Sequence, residues 1–389
     1  MTTLISFLGK GQDGRGYRFA NYHFDDNDSY EKQKYFGLTL AQKLKPSKII
    51  LLGTSGSMWD VFLEEGGEGL EEEWFELSES VKKQNVQPEQ LIPFNDYLSK
   101  KLGADVQCIL IPFAKTTKEQ IDILSILAEN LSDNDKVVLD VTHSFRHLPM
   151  LSLVASRFLK RTKNITVDQI YYGATDMTQN NQSPVLQLDG MLSMLDWVDA
   201  LTTFDKDGDY GVFSELLINE GFDESHADSL KQASFYERTT NSSNAKQRLD
   251  TIFNNLENLH SPIFELFKPQ LQKRLTWFKR SNRGLREQAL AKQYLERKDY
   301  VRAVIFAMEG IISNKVYGDK QDENSYNDRE QARETLRESE DFRFLSNLRN
   351  ALVHGLGNQN KDVRHILDKE SVAHQSLNQR FKNLFNGQN

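Results

Sequence analysis

The sequence predicts an α/β domain followed by an all-α region, and three observations carry that prediction. Through residues 1–190, short apolar runs alternate with amphipathic segments. Most of those runs are nearly continuous, as strands buried on both faces of a parallel sheet require. Near Met191 the alternation stops, and β-like runs do not return before Asn389.

The candidate strands are LISFLG (4–9), KIILLGT (48–54), QCILIPF (107–113), KVVLDVTH (136–143) and DQIYYGAT (168–175). Helical patterns over 30–44, 90–102, 118–131 and 149–163 lie between them. Strand–helix alternation at this spacing means a doubly wound, mainly parallel sheet. The late pair YYGATDM and SPVLQLDGM predicts an antiparallel hairpin at its edge. MLSMLDWVDALTTF then opens a helix-rich stretch, with loop-like composition near 237–247 and 318–330. The predicted organisation is an α/β domain at 1–190, a helical connector at 191–280 and a compact helical domain at 281–389.

Composition narrows the function classes. A chain of 389 residues is too long for one ordinary domain. No apolar run approaches the roughly 18 residues of a membrane span, and the N-terminus lacks a signal-peptide pattern. The single cysteine, Cys108, excludes an intrachain disulfide framework and fits a reducing cytoplasm. A net charge of -8 argues against a general nucleic-acid-coating surface. A local basic stretch remains at 272–302, with ten Lys or Arg against three Asp or Glu. Within it Lys279, Arg280, Arg283 and Arg286 are the candidate residues for guiding a nucleic-acid strand, the alternative being a solvated helical face.

In doubly wound sheets, ligands sit beyond the carboxyl ends of the strands, near helix N-termini that attract phosphate. Three strands here end in suitable loops. The first leads into Gly9, Lys10, Gly11, Gly14, Arg15 and Gly16; the second into Thr54, Ser55, Gly56 and Ser57; the third into Thr142, His143, Ser144 and Arg146. Gly9, Gly11 and Gly14 match a dinucleotide fingerprint, but no acid ends the next strand to hold a ribose. His143 and His147 are spaced to chelate a metal on a helix, yet no further ligand completes a site, and no metal is predicted. DKDGD at 205–209 begins like a calcium loop and then departs from the pattern.

DVTHSFRHLPM, with LGTSGSMWD upstream, resembles the signature of CRISPR-associated Rossmann-fold (CARF) proteins of type III systems, over roughly residues 1–190. The resemblance implies a Rossmann-like domain that dimerises around a two-fold symmetric pocket for a cyclic oligoadenylate, an allosteric activator. Cyclic tetra-adenylate is the first expectation and cyclic hexa-adenylate the second. Carried onto this sequence, the ligand contacts would be Gly9, Lys10, Thr54, Ser55, Ser57, Thr142, His143, Ser144 and Arg146. Some sensors of this type also cleave their activator slowly, a step in which Arg146 or His143 would assist.

The strongest catalytic signal is LRNALVHG (348–355), which holds Arg349, Asn350 and His354 on a helical pattern. Leu345, Leu348 and Leu352 form its buried stripe, with Asn350 and His354 nearly opposite and Arg349 at the stripe's edge. Gly355 suits the C-cap, and imidazole titrates near neutrality, as proton transfer requires. A surface Arg and His on an ordinary amphipathic helix is the bland alternative. The string resembles the signature of HEPN ribonucleases, over roughly 281–389, and 294–318 resembles that family's other long helix, with Glu309 as an auxiliary partner. This implies metal-independent cleavage of single-stranded RNA in a homodimer. The 2′-hydroxyl would attack the adjacent phosphorus, with His354 as acid or base, Arg349 stabilising charge and Asn350 orienting. The alternative of another class is a non-catalytic, ligand-responsive regulator whose helical domain binds a partner or nucleic acid.

Overall fold

The computed structural model describes residues 2–10, 17–63, 69–143, 145, 147–355 and 361–386. It divides into two compact units, Met1–Ser193 and Met194–Asn389.

The first unit is built on one eight-stranded sheet. In chain order it contains β1 (Thr2–Leu8), β2 (Ala20–His23), β3 (Ser29–Gln33), α1 (Phe36–Leu44), β4 (Lys48–Gly53), α2 (Trp59–Leu63) and α3 (Glu71–Lys82). There follow α4 (Ile92–Leu102), β5 (Asp105–Leu110), α5 (Thr117–Asn130), β6 (Lys136–Asp140), α6 (His147–Lys163), β7 (Thr166–Gly173) and β8 (Ser183–Gln187). The strand order is β3-β2-β8-β7-β6-β1-β4-β5. β1 lies parallel between β4 and β6, so the chain reverses its direction of winding around β1. Leu4, Leu51 and Val138 bury against one helical layer, and Ile5, Ile50 and Leu139 against the other. Burial on both faces explains why these strands read as continuous apolar runs.

The five strands expected from the sequence are all present. Two other expectations are corrected. The 30–44 stretch is a strand and then a helix, because Tyr35 is extended and α1 begins only at Phe36. The β7–β8 pair is antiparallel but not at the edge, since β2 pairs parallel with β8 and β3 closes the sheet beyond it. β2 and β3 are short, polar and irregular in register, and so carry little apolar signal.

The second unit is helical among its described residues, with α7 (Asp189–Asp207) crossing into it from the first. It continues with α8 (Ser214–Asn219), α9 (Glu224–Arg238), α10 (Ser242–Glu257), α11 (Pro262–Leu275) and α12 (Arg283–Glu296). α13 (Tyr300–Gly318), α14 (Tyr326–Leu336), α15 (Glu340–His354), α16 (Lys361–Leu367) and α17 (Glu370–Asn386) complete it. A single apolar core extends from Trp197 in α7 to Phe385 in α17. The predicted division at 280 is therefore not a break in packing. Buried polar bonds also cross it, because Arg274 of α11 pairs with Glu237 of α9 and bonds to Gln293 of α12.

α12 and α13 pack closely, and small residues make that approach feasible. A Cβ on Gly284 would stand 2.7 Å from the backbone nitrogen of Asn314, and one on Gly310 would stand 3.1 Å from the carbonyl oxygen of Gly284. Gly284→Ala should therefore destabilise the second unit by about 1–3 kcal/mol, the range for overpacking, seen as a lower urea midpoint. An unchanged midpoint would show that the pair can part without cost.

Candidate functional site

Two sites emerge, one in each unit. In the first unit, the loops after β1, β4 and β6 lie together at the carboxyl edge of the sheet, on either side of its point of reversal. Hydrogen bonds join the first two loops. Met58 N–H donates to Gly9 O at 3.1 Å, and Ser57 Oγ donates to Leu8 O at 2.6 Å. Tyr17 Oη also donates to Gly9 O, at 2.8 Å.

This arrangement sorts the expected ligand contacts. Thr54 and Ser57 are fully buried. Ser57 Oγ accepts from Thr54 N–H at 2.9 Å, and Thr54 O accepts from the Trp59 indole at 3.0 Å. Both residues therefore shape the turn, where the sequence reading had their hydroxyls facing a ligand. Thr142 Oγ1 accepts from Gly173 N–H at 2.8 Å and ties the β6 loop to β7. Ser55 is half-buried and Lys10 exposed, so these two can face a ligand. Ser144 and Arg146 lie outside the described residues.

His143 turns inward. Its ring stacks on Tyr35 at 5.0 Å and meets Tyr17 edge-on at 4.9 Å, while its Nε2 accepts from Phe36 N–H at 3.2 Å. Loss of water holds its pKa down to about 4, so the ring is neutral at physiological pH. His147 is engaged elsewhere, donating from Nε2 to Phe113 O at 2.9 Å. The two histidines thus do not share a ligand position. Beneath them lies Asp140, fully buried at the end of β6. It accepts from Ser6 Oγ at 2.5 Å and from Thr142 N–H at 2.9 Å. Burial pushes its pKa up to about 6, against those bonds, which lower it. Tyr35 Oη stands 3.0 Å from Ser6 Oγ and donates to Phe7 O. The tyrosine pair was not identified from the sequence, because only the fold brings residues 17 and 35 against residue 143.

The second site is the C-terminal end of α15. Leu345 and Leu348 are fully buried, Arg349 and His354 are exposed, and Asn350 is half-buried. Gly355 ends the helix at φ 79°, a conformation that favours glycine. Arg349 lines a cleft of about 630 Å³ with Arg333, Arg337, Arg343, Ser346 and Asn347, over a floor that includes Met308 and Phe342. Glu309 also lines it and pairs with Arg329 and with Arg333. Asn350 and His354 are not among its lining residues.

The basic stretch at 272–302 does not form one surface. Arg274 is buried against Glu237. Arg283 donates to Glu287 at 2.8 Å and to Glu323 O at 3.1 Å. Arg286 is half-buried with its guanidinium on Arg280 O, and Lys279 sits 3.8 Å over the Phe253 ring. Of the four expected RNA-guiding residues, only Lys279 and Arg280 are exposed.

Comparison with known proteins bears on the first site. Residues 3–176 match the family described as CRISPR system endoribonuclease Csx1, CARF domain. The match runs from β1 through β7 and includes the three loops and Asp140; α15 lies outside it. The CRISPR-associated protein MJ1674 of Methanocaldococcus jannaschii is 30% identical over 261 residues, covering 61% of this chain and 41% of that protein. The chain thus spans about two fifths of the length of that curated relative. The first unit is thus similar to a CARF domain, and the chain is similar to a CRISPR-associated protein. Among the described residues, no helix is long and apolar enough to cross a membrane.

The two titrating groups, buried Asp140 and half-buried His143, make opposite predictions. From about pH 6.5 down to 4, the unfolded chain carries a proton on His143 that the folded chain lacks, so this residue's contribution to stability falls as pH falls. From about pH 4 up to 6, the folded chain holds a proton on Asp140 that the unfolded chain has lost, so that contribution falls as pH rises. In Asp140→Asn, hydrogen-exchange protection of β1 and β6, corrected for intrinsic rates, should decline on acidification from 6.5 to 4. In His143→Asn it should decline as pH rises from 4 to 6. The same slope in both variants would show that these two groups do not control it.

Proposed function

We propose that the chain is an activator-gated endoribonuclease of type III CRISPR antiviral defence, acting in the cytoplasm. Its first unit would bind a cyclic oligoadenylate, and its second would cut single-stranded RNA without a metal. The observation that carries this reading is α15, where Arg349 lines a cleft rich in arginine and Asn350 and exposed His354 follow it to the helix end.

In the proposed reaction, neutral His354 takes the proton of the RNA 2′-hydroxyl as that oxygen attacks the adjacent phosphorus. The bond from phosphorus to the 5′-oxygen breaks, and the imidazolium of a second protomer protonates the departing oxygen. The products are a 2′,3′-cyclic phosphate and a 5′-hydroxyl. Arg349 donates to the non-bridging oxygens as their charge grows, and Asn350 orients the imidazole or the phosphate. A chain with one such histidine needs a second copy to supply both acid and base, which makes the homodimer the active unit.

A second copy also suits the surface of α6. Met150, Val154 and Phe158 recur at i, i+4 and i+8, and are 71%, 67% and 51% exposed. α6 follows directly on the β6 loop, so a two-fold contact along it would pair two copies of that loop. A ring with two-fold symmetry of its own, cyclic tetra-adenylate before cyclic hexa-adenylate, matches such a pocket. Gating then requires that the ring bind the cutting-competent state better than the resting one.

Cleavage of a fluorescent single-stranded RNA in EDTA, across a panel of cyclic oligoadenylates, tests the reading. One ring size should switch cleavage on, and His354→Ala should reduce it by at least a hundredfold. Tight ring binding with no cleavage would instead favour a non-catalytic regulator. The double variant Val154→Glu with Phe158→Glu should elute as a monomer and lose activation, whereas an intact dimer would remove α6 from the interface.

A further inference from the structure

We infer that the cleft beside α15 is a track for the phosphates of single-stranded RNA, with Arg337 and Arg343 binding the strand ahead of His354. This rests on the ribonuclease reading of α15 and adds a substrate-binding surface to it.

Charge supports the assignment. The chain carries 56 Asp and Glu against 48 Lys and Arg, yet this cleft presents four arginines and one acid. That acid, Glu309, already pairs with Arg329 and Arg333. The guanidinium groups of Arg343 and Arg349 are exposed and, among the described residues, make no ion pair or side-chain hydrogen bond. Among the described residues the Arg337 guanidinium pairs with Glu334 alone, an exposed pair at 2.7 Å that contributes little and exchanges readily. The cleft thus holds uncompensated guanidinium groups, which suit phosphate through paired donors.

Helix geometry indicates an extended ligand. Arg343, Asn347, Asn350 and His354 follow at i, i+4, i+7 and i+11, within about 60° of one another on the helical wheel. At 1.5 Å per residue, the line from Arg343 to His354 is about 16 Å long. It runs from the cleft wall to the proposed catalytic imidazole. A polyanionic strand can occupy its whole length, and the amides of Asn347 and Asn350 can bond to sugar or base edges between phosphates.

The test is RNA affinity measured apart from turnover. Full-length His354→Ala protein is titrated against a labelled 20-nucleotide single-stranded RNA by fluorescence anisotropy at several salt concentrations. Arg337→Gln and Arg343→Gln, each added to that background, should weaken binding about five- to tenfold. Each should also make the log–log salt dependence shallower by about one. Lys298→Gln, which removes an exposed charge away from the cleft, should change affinity less than twofold. Equal thermal midpoints would verify that the arginine variants fold. A double variant with the parent's affinity and salt slope would overturn the inference, as would a parent that binds no RNA. Unchanged binding beside His354-dependent cleavage would reject the track and keep the nuclease. Lost binding in a protein that never cleaves would keep the track and reject the nuclease.

Discussion

A carboxyl group sealed from water has to be given hydrogen bonds, and both units are organised around that demand. In the first, Asp140 ends β6 with no exposed surface, so Ser6 from the neighbouring strand and the amide of Thr142 turn toward it. Bonding to Thr142 bends the chain out of the strand and starts the loop that carries His143. Tyr35 reaches the same serine and stacks on His143, which links the loop to the entrance of α1. An unpaired buried carboxylate costs several kcal/mol, so the carboxyl edge of the sheet takes a specific shape.

In the second unit, Glu237 and Glu287 play the corresponding part. Glu237 receives Arg274 and the hydroxyl of Tyr294, drawing α9, α11 and α12 together. Glu287 receives Ser242, Ser313 and Arg283, which joins α10, α12 and α13. Ser313 accepts in turn from Arg329, and Arg329 pairs with Glu309 at the cleft. A chain of polar contacts therefore connects the buried interior to the cleft wall.

Much of this was legible in the residues. The strands β1, β4, β5, β6 and β7 were readable because burial on both faces demands uninterrupted apolar runs. α15 was readable because Leu345 and Leu348 recur at helical spacing and Gly355 can take the positive φ that closes the helix. β2 and β3 were not, since polar strands at a sheet edge leave no pattern that differs from loop. The basic stretch misled for a related reason. A count of charges does not distinguish Arg274, paired inside the core, from Arg280 on the surface.

The sequence by itself determined five of the strands, the three loops beyond the strand ends, and the Arg349–Asn350–His354 helix. Each of these depends on local periodicity or on residues close in the chain. Only the tertiary structure decided which polar side chains are free to act. It turned Thr54, Ser57 and His143 inward, bound Arg283 to Glu287, and gathered Arg333, Arg337, Arg343 and Arg349 around one cleft. A side chain's availability is set by what the fold packs against it, and those partners come from elements distant in sequence.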